Sequence, residues 1–178
     1  MAPARRWRFP PTASQTGPVS VREVFSFPES VNATAARIVA AGVATMAWSV
    51  VLFDLRWLVP LLAYGFVARV VAGPRLSPLA LFATRVAAPR LPGRSVPGPP
   101  KRFAQSIGAV LSGSALVALA AGSPGVAAAL VGAIAVAATL EAALGFCVGC
   151  QIFAVLMRAG VIPEHVCEAC SNLSQQPA

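Results

Sequence analysis

Apolar stretches and short charged breaks alternate along this chain, and their lengths set its elements. Residues 38–53 (IVAAGVATMAWSVVLF) carry no charge and end at Asp54-Leu55-Arg56. A second apolar run starts at Trp57 and fades near Val71, a third covers 103–121, and a fourth runs from Val126 to about Phe146. Apolar runs approaching about 20 residues read as membrane-spanning helices. The pattern predicts an all-α membrane protein with about four transmembrane helices, at 36–53, 57–72, 103–121 and 126–146. These pair into two helix hairpins, turned at 54–56 and at Gly122-Ser123-Pro124-Gly125, each followed by a short cytoplasmic interfacial helix. The first two runs are short for upright spans, so the first hairpin crosses with snorkelling ends or dips in as a re-entrant pair. In both cases the chain returns to the side it left.

The breaks carry their own signals. Asn32 or Thr34 can cap the first helix, and Pro60 sits in the first turn of the second, where a missing N–H is tolerated. Trp57 and Tyr64 are interfacial-type aromatics, and Arg37 can snorkel outward. Apolar residues at near-helical spacing in 76–86 predict a short interfacial helix. The proline-rich remainder of the loop, APRLPGRSVPGPPKR, reads as an extended, non-helical connector. In the fourth helix Ala129, Ala133 and Ala137 line up at i, i+4 spacing, a face that lets helix backbones approach closely in lipid. Ala-Tyr-Gly-Phe at 63–66 recurs as Ala-Leu-Gly-Phe at 143–146, a weak sign that the two hairpins are repeats. The chain thus divides into a disordered basic cytoplasmic tail (1–30), a membrane bundle (31–160, with a cytoplasmic loop at 73–102) and a cysteine-containing cytoplasmic tail (161–178).

Composition narrows the class. Only 11% of residues are charged, 57% are hydrophobic and mean hydropathy is +0.72, whereas soluble domains carry roughly 25% charged residues. The net charge of +8 would suggest nucleic acid in a soluble protein. Here it follows from the positive-inside rule and contact with anionic lipid, and nucleic-acid binding is not expected. Arg5-Arg6 is followed by Pro-Pro-Thr-Ala-Ser-Gln near Arg8 rather than an apolar core, which argues against a twin-arginine signal. Of 14 Lys and Arg residues only Arg56 lies in a hairpin turn. Both termini and the central loop are therefore expected on the cytoplasmic side of a plasma membrane, with the lipid bilayer as first partner.

The chemistry concentrates between Glu141 and Cys170. Cys147 and Cys150 form one C-x-x-C and Cys167 and Cys170 a second, with 16 residues between them, and the chain has no other cysteine. The first pair emerges at the end of the fourth helix; if that helix continues, both sulfurs share a face. Gly160 and Pro163 then stop the helix and let the tail fold back. Three readings compete. Zinc fits C-x₂-C-x₁₅₋₂₀-C-x₂-C spacing, with His165 able to replace a sulfur. Thiol redox or sulfur transfer fits C-x-x-C pairs with a cation such as Arg158 nearby. An iron–sulfur cluster fits the ligand count but not the usual spacings. Glu141 is the only acid inside a predicted span. It is a proton-relay candidate, set against a structural pairing with Arg69 or Arg102 or a bond to Thr139.

The segments PGPPKRFAQSIGAVL, LEAALGFCVGCQIFAVLMRAGVIPE and HVCEAC resemble an uncharacterised bacterial, mainly actinobacterial, membrane-protein family, domain of unknown function 4395, over residues 31–172. The resemblance implies a multi-pass plasma-membrane protein with no established activity. Members of that family are often encoded near thioredoxin-like and sulfurtransferase-like proteins, so the resemblance also implies thiol chemistry, at Cys147, Cys150, Cys167 and Cys170. The expectation is a thiol-redox or sulfur-handling membrane partner of a thioredoxin-like protein. The alternatives are a non-enzymatic scaffold whose tail is pinned by zinc, and a small-solute transporter, for which Glu141 is the sole polar hint.

Overall fold

In a computed structural model of the chain, residues 30–73, 76–87, 95–163 and 166 are described. They form six α-helices, one π-helical turn and a two-stranded ribbon. Strand β1 (Ser30–Asn32) leads into α1 (Ala33–Phe53), followed by α2 (Leu58–Ala72), α3 (Pro78–Phe82) and a π-turn at Ala83–Ala87. Strand β2 (Ser95–Pro97) leads into α4 (Gly98–Ala120), then α5 (Pro124–Leu144) and α6 (Val148–Arg158).

Three helices, α1, α4 and α5, are long and apolar enough to cross a membrane. At 15 residues α2 is shorter, about 22 Å at helical rise against a hydrocarbon core of about 30 Å. Large apolar side chains such as Phe53, Val110, Val117 and Leu144 are exposed around the bundle. Exposed apolar surface on this scale suits a protein solvated by lipid. The chain is a multi-pass membrane protein.

Local chemistry explains the boundaries. Asn32 caps α1, its Oδ1 accepting from the backbone N–H of Thr34 (2.8 Å) and Ala35 (3.1 Å). Asp54 ends the helix in the left-handed region at φ 55° and receives two 2.7 Å bonds from Arg56, closing the predicted turn. The predicted start of α4 moves. The helix begins at Gly98, so Pro99, Pro100, Lys101 and Arg102 are helical, not part of an extended connector. Prolines at the first positions remove only N–H groups that would have no intrahelical partner. The 76–86 segment is helical, though its second half is the π-turn, where Thr84 Oγ1 donates to the carbonyls of Ala80 (2.8 Å) and Leu81 (3.3 Å).

Helices pack mainly across the hairpins rather than within them: α1 lies along α5, and α2 along α4. The core is built from small and branched residues, among them Ala47, Val59, Leu62, Ala115, Val131 and Ala135. Without a hydrophobic drive between helices in lipid, such close packing is what holds a bundle together. Trp48 adds a bond from its indole N–H to Thr139 Oγ1 at 3.0 Å. The buried face of α5 is Ala127, Val131, Ile134, Ala135 and Ala138, not the predicted alanine row, of which Ala129 and Ala133 are exposed. Alanine spacing alone does not choose a face on a helix that is apolar all round.

The tetrapeptide repeat also fails as a marker. Gly65 lies inside α2, whereas Gly145 ends α5 at φ 70°. Equivalence shows instead in the ribbon, where Ser-Val-Asn before α1 pairs antiparallel with Ser-Val-Pro before α4, Val31 opposite Val96. The first arm of each hairpin, α1 and α4, therefore starts at one end of the bundle. That end collects Arg37, Arg69, Arg85, Lys101, Arg102 and Arg158, leaving Arg56 alone at the other among the described cations.

Candidate functional site

A break in the chain creates the site. α5 does not run through the cysteines: Gly145, in the left-handed region, closes it with a bond to Glu141 O at 2.9 Å, and Phe146 follows. Glycine tolerates that conformation without the steric cost a Cβ would bring. Cys147 is then the N-cap of α6, and Cys150 stands in its first turn. A helix continuing through the cysteines would have placed both thiols along one rod. The break instead turns α6 back onto α4, where Gly149 meets Ala104 and the Phe153 ring lies 5.6 Å from Phe103. A Cβ on Gly149 would come within 2.5 Å of Ala104 Cβ, so only glycine permits this approach.

Cys147 is buried, Cys150 half-buried, and both are free thiols. Cys150 Sγ donates to Cys147 Sγ at 2.6 Å. That bond, more than any other influence, holds the Cys147 thiol below its ordinary value; burial and Glu141 oppose it and Lys101 assists. The same bond, with burial, pushes Cys150 far up. A lowered first thiol and a raised second one make Cys147 the better leaving group and Cys150 the holder of the proton. The assisting cation is Lys101, not Arg158, which sits at the far end of α6, about 16 Å along the helix.

Glu141 does not pair with Arg69 or Arg102, nor does it bond Thr139. It takes the ammonium of Lys101 from the first turn of α4, with both side chains largely buried (14% and 17% exposed). Thr139 instead donates to Ala135 O at 2.7 Å. Arg37 does not point away from the protein: it donates to the carbonyls of Ala142 (3.1 and 3.0 Å) and Ala143 (2.8 Å), where a cation meets the negative end of α5. Arg69 is buried at 5% exposure. Its guanidinium donates to Gln105 Oε1 at 2.8 Å and Ser77 Oγ at 3.3 Å and stacks 4.7 Å over the Phe66 ring.

Between these groups lies a cavity of about 250 Å³, lined by Arg69, Gln105, Glu141 and Cys147 among mainly apolar neighbours. Lys101, Gln105 and Gly108 recur at i, i+4, i+7 on α4, and that one face carries the ion pair, the amide and the floor on which Phe66 rests. The spacing was present in the sequence, and it is the signal by which Lys101 and Gln105 could have been found. Of the other predicted site residues, His165, Cys167 and Cys170 lie outside the described residues. Among the described residues no three His, Cys, Asp or Glu side chains converge in a way that could hold a metal ion.

Comparison with known proteins places the site within a family. No curated protein and no solved structure matches the chain. A family match covers residues 31–158, from β1 through the last residue of α6, and so includes Lys101, Gln105, Glu141 and the first cysteine pair while ending before the second. The chain belongs to the family described as Domain of unknown function (DUF4395).

Proposed function

We propose that this protein is a membrane-embedded dithiol–disulfide exchanger, with Cys147 and Cys150 as its reactive pair. The observation that carries this reading is the 2.6 Å thiol pair at the start of α6. Adjacent sulfurs in a C-x-x-C at a helix start are the arrangement from which an S–S bond forms. In the oxidised form, the thiolate of a soluble thioredoxin-like partner attacks the more accessible Cys150 sulfur. The Cys147–Cys150 bond breaks, and Cys147 leaves as the thiolate that its surroundings stabilise. The partner's second thiol then resolves the mixed disulfide, releasing Cys150 and carrying away the partner's own disulfide. Cys167 and Cys170 serve as a second, tail-borne pair that relays to the first.

In this reading both hairpins cross the bilayer, α3 and α6 lie at the interface, and the basic end of the bundle faces the cytoplasm by the positive-inside rule. That orientation sets the dithiol where reduced soluble partners are abundant.

The test is a redox titration of the full chain in detergent, in a Cys167→Ser/Cys170→Ser background, with alkylation and mass measurement at each glutathione ratio. A single two-electron transition is expected, lost completely in Cys147→Ser and in Cys150→Ser. Metal analysis of the unsubstituted protein runs alongside. One zinc per chain, with Cys147 and Cys150 unreactive until chelation, would overturn the exchanger and establish the zinc-pinned scaffold.

A further inference from the structure

The cavity beside Cys147 has features that neither a structural bundle nor thiol exchange with a soluble partner requires. On α5 its lining runs from Glu141 back to Ala133, about 12 Å along the helix axis and so into the apolar depth of the bundle. Val43, Leu111, Ile134 and Ala137 supply apolar wall. Against that wall stands Arg69, at 5% exposure, with no carboxylate in salt-bridge range among the described residues. A guanidinium has five N–H donors, and its bonds to Gln105 and Ser77 use two. Gln105, whose Oε1 accepts from Arg69, lines the same space. The Glu141 carboxylate acts on Arg69 from the same space without closing on it, and the donors left over line a cavity whose other polar boundaries are that carboxylate and a thiol.

A ligand for this space must be mainly apolar, must accept hydrogen bonds at a defined edge, and must reach the cavity from the bilayer. If the dithiol reading above holds, it must also exchange two electrons with a thiol pair. A quinone meets all four demands: a planar apolar ring, carbonyl oxygens that only accept, solubility in lipid, and two-electron, two-proton chemistry. At about 250 Å³ the cavity lies just below the roughly 300–1,000 Å³ of sites for drug-sized ligands, a size suited to a single substituted ring. We propose that the cavity between α1, α2, α4, α5 and the start of α6 binds a membrane quinone, with Arg69 and Gln105 donating to a carbonyl and Cys147 facing the ring as its redox partner.

The step balances without a further reagent. The Cys147 thiolate adds to a ring carbon, forming a C–S bond. Cys150, giving up its proton, attacks the Cys147 sulfur; the S–S bond forms and the C–S bond breaks. Two electrons pass to the ring, and the quinol oxygens take the Cys150 proton and, through water, the proton Cys147 released on becoming a thiolate. Cys147, at the cavity wall, meets the quinone, while Cys150, the more accessible sulfur, meets the soluble partner. Electrons then pass from partner dithiol to membrane quinol through one pair of sulfurs.

The experiment uses the full chain in lipid nanodiscs, Cys167→Ser/Cys170→Ser, reduced and mixed anaerobically with decylubiquinone while quinol absorbance and free thiols are followed. One quinol per two thiols lost is expected, at a rate that saturates with quinone. Arg69→Gln and, independently, the cavity-filling Ala137→Leu are each expected to raise the half-saturating quinone concentration at least tenfold. Val117→Ala, on the exposed face of α4, should change nothing. A rate linear in quinone and equal in Arg69→Gln and Ala137→Leu would mean collisional oxidation and would overturn the site. Thiols that exchange with glutathione disulfide but are not oxidised by quinone would overturn the site and leave the exchanger standing. Thiols inert to both would overturn the two together.

Discussion

At the scale of single residues, the site depends on two protons and one ion pair. Because the Cys150 S–H stabilises the Cys147 thiolate, Cys147 loses its proton at lower pH than an ordinary thiol. As pH rises, its alkylation by iodoacetamide should therefore reach half its maximum below the usual thiol value of about 8.5. Cys150→Ala removes the donor and should move that midpoint upward, as read by mass spectrometry of the labelled peptide. Lys101→Met leaves the carboxylate of Glu141 buried without its partner, at a cost of about 3–5 kcal/mol. The expected result is a clear fall in thermal midpoint in detergent, partly restored by adding Glu141→Gln. The cysteines were legible because their chemistry is written in local spacing. Lys101 with Glu141 and Arg69 with Gln105 were not, because each joins residues 40 and 36 positions apart. An isolated charge in an apolar helix announces a partner but does not say which one.

At the scale of elements, glycines decide where helices turn and how near they come. The sequence pattern placed the long helices well because a bilayer enforces their length, and it found the Asn32 cap and the turn at Asp54 because both are local devices. It set the end of α5 at about 146, two residues past the observed Leu144, and expected a short helix to follow; it left open whether the helix ran on through the cysteines, because Gly145 inside an apolar run is compatible with continuation. It missed the first turn of α4 because prolines read as breakers unless they fall at a helix start. Gly149→Val should separate α6 from α4, since even a Cβ would meet Ala104 at 2.5 Å. The expected outcome is slower Cys147–Cys150 disulfide formation and faster proteolysis within α6. Gly132→Ala, where nothing lies within 4 Å of the added Cβ, should leave both unchanged.

At the scale of the whole molecule, charge and packing make separate predictions. With all native cysteines replaced, Arg56→Cys and Arg158→Cys should label with an impermeant maleimide from opposite faces of intact cells, Arg56→Cys from outside. Labelling of both from one face would refute the two-hairpin topology. Because α1 packs on α5 and α2 on α4, a chain cut within 88–94 should still assemble. Two co-expressed fragments should purify together in detergent, whereas hairpins that packed only within themselves would separate. The ribbon of Ser-Val-Asn on Ser-Val-Pro sharpens the point. Two like segments that pair antiparallel, each feeding the first helix of its own hairpin, have the arrangement of a homodimer drawn inside one polypeptide. A true homodimer must repeat every side chain on both sides of its axis. Fusing the halves lifts that obligation, so one hairpin can carry the sulfurs while the other contributes a guanidinium to the cavity beside them.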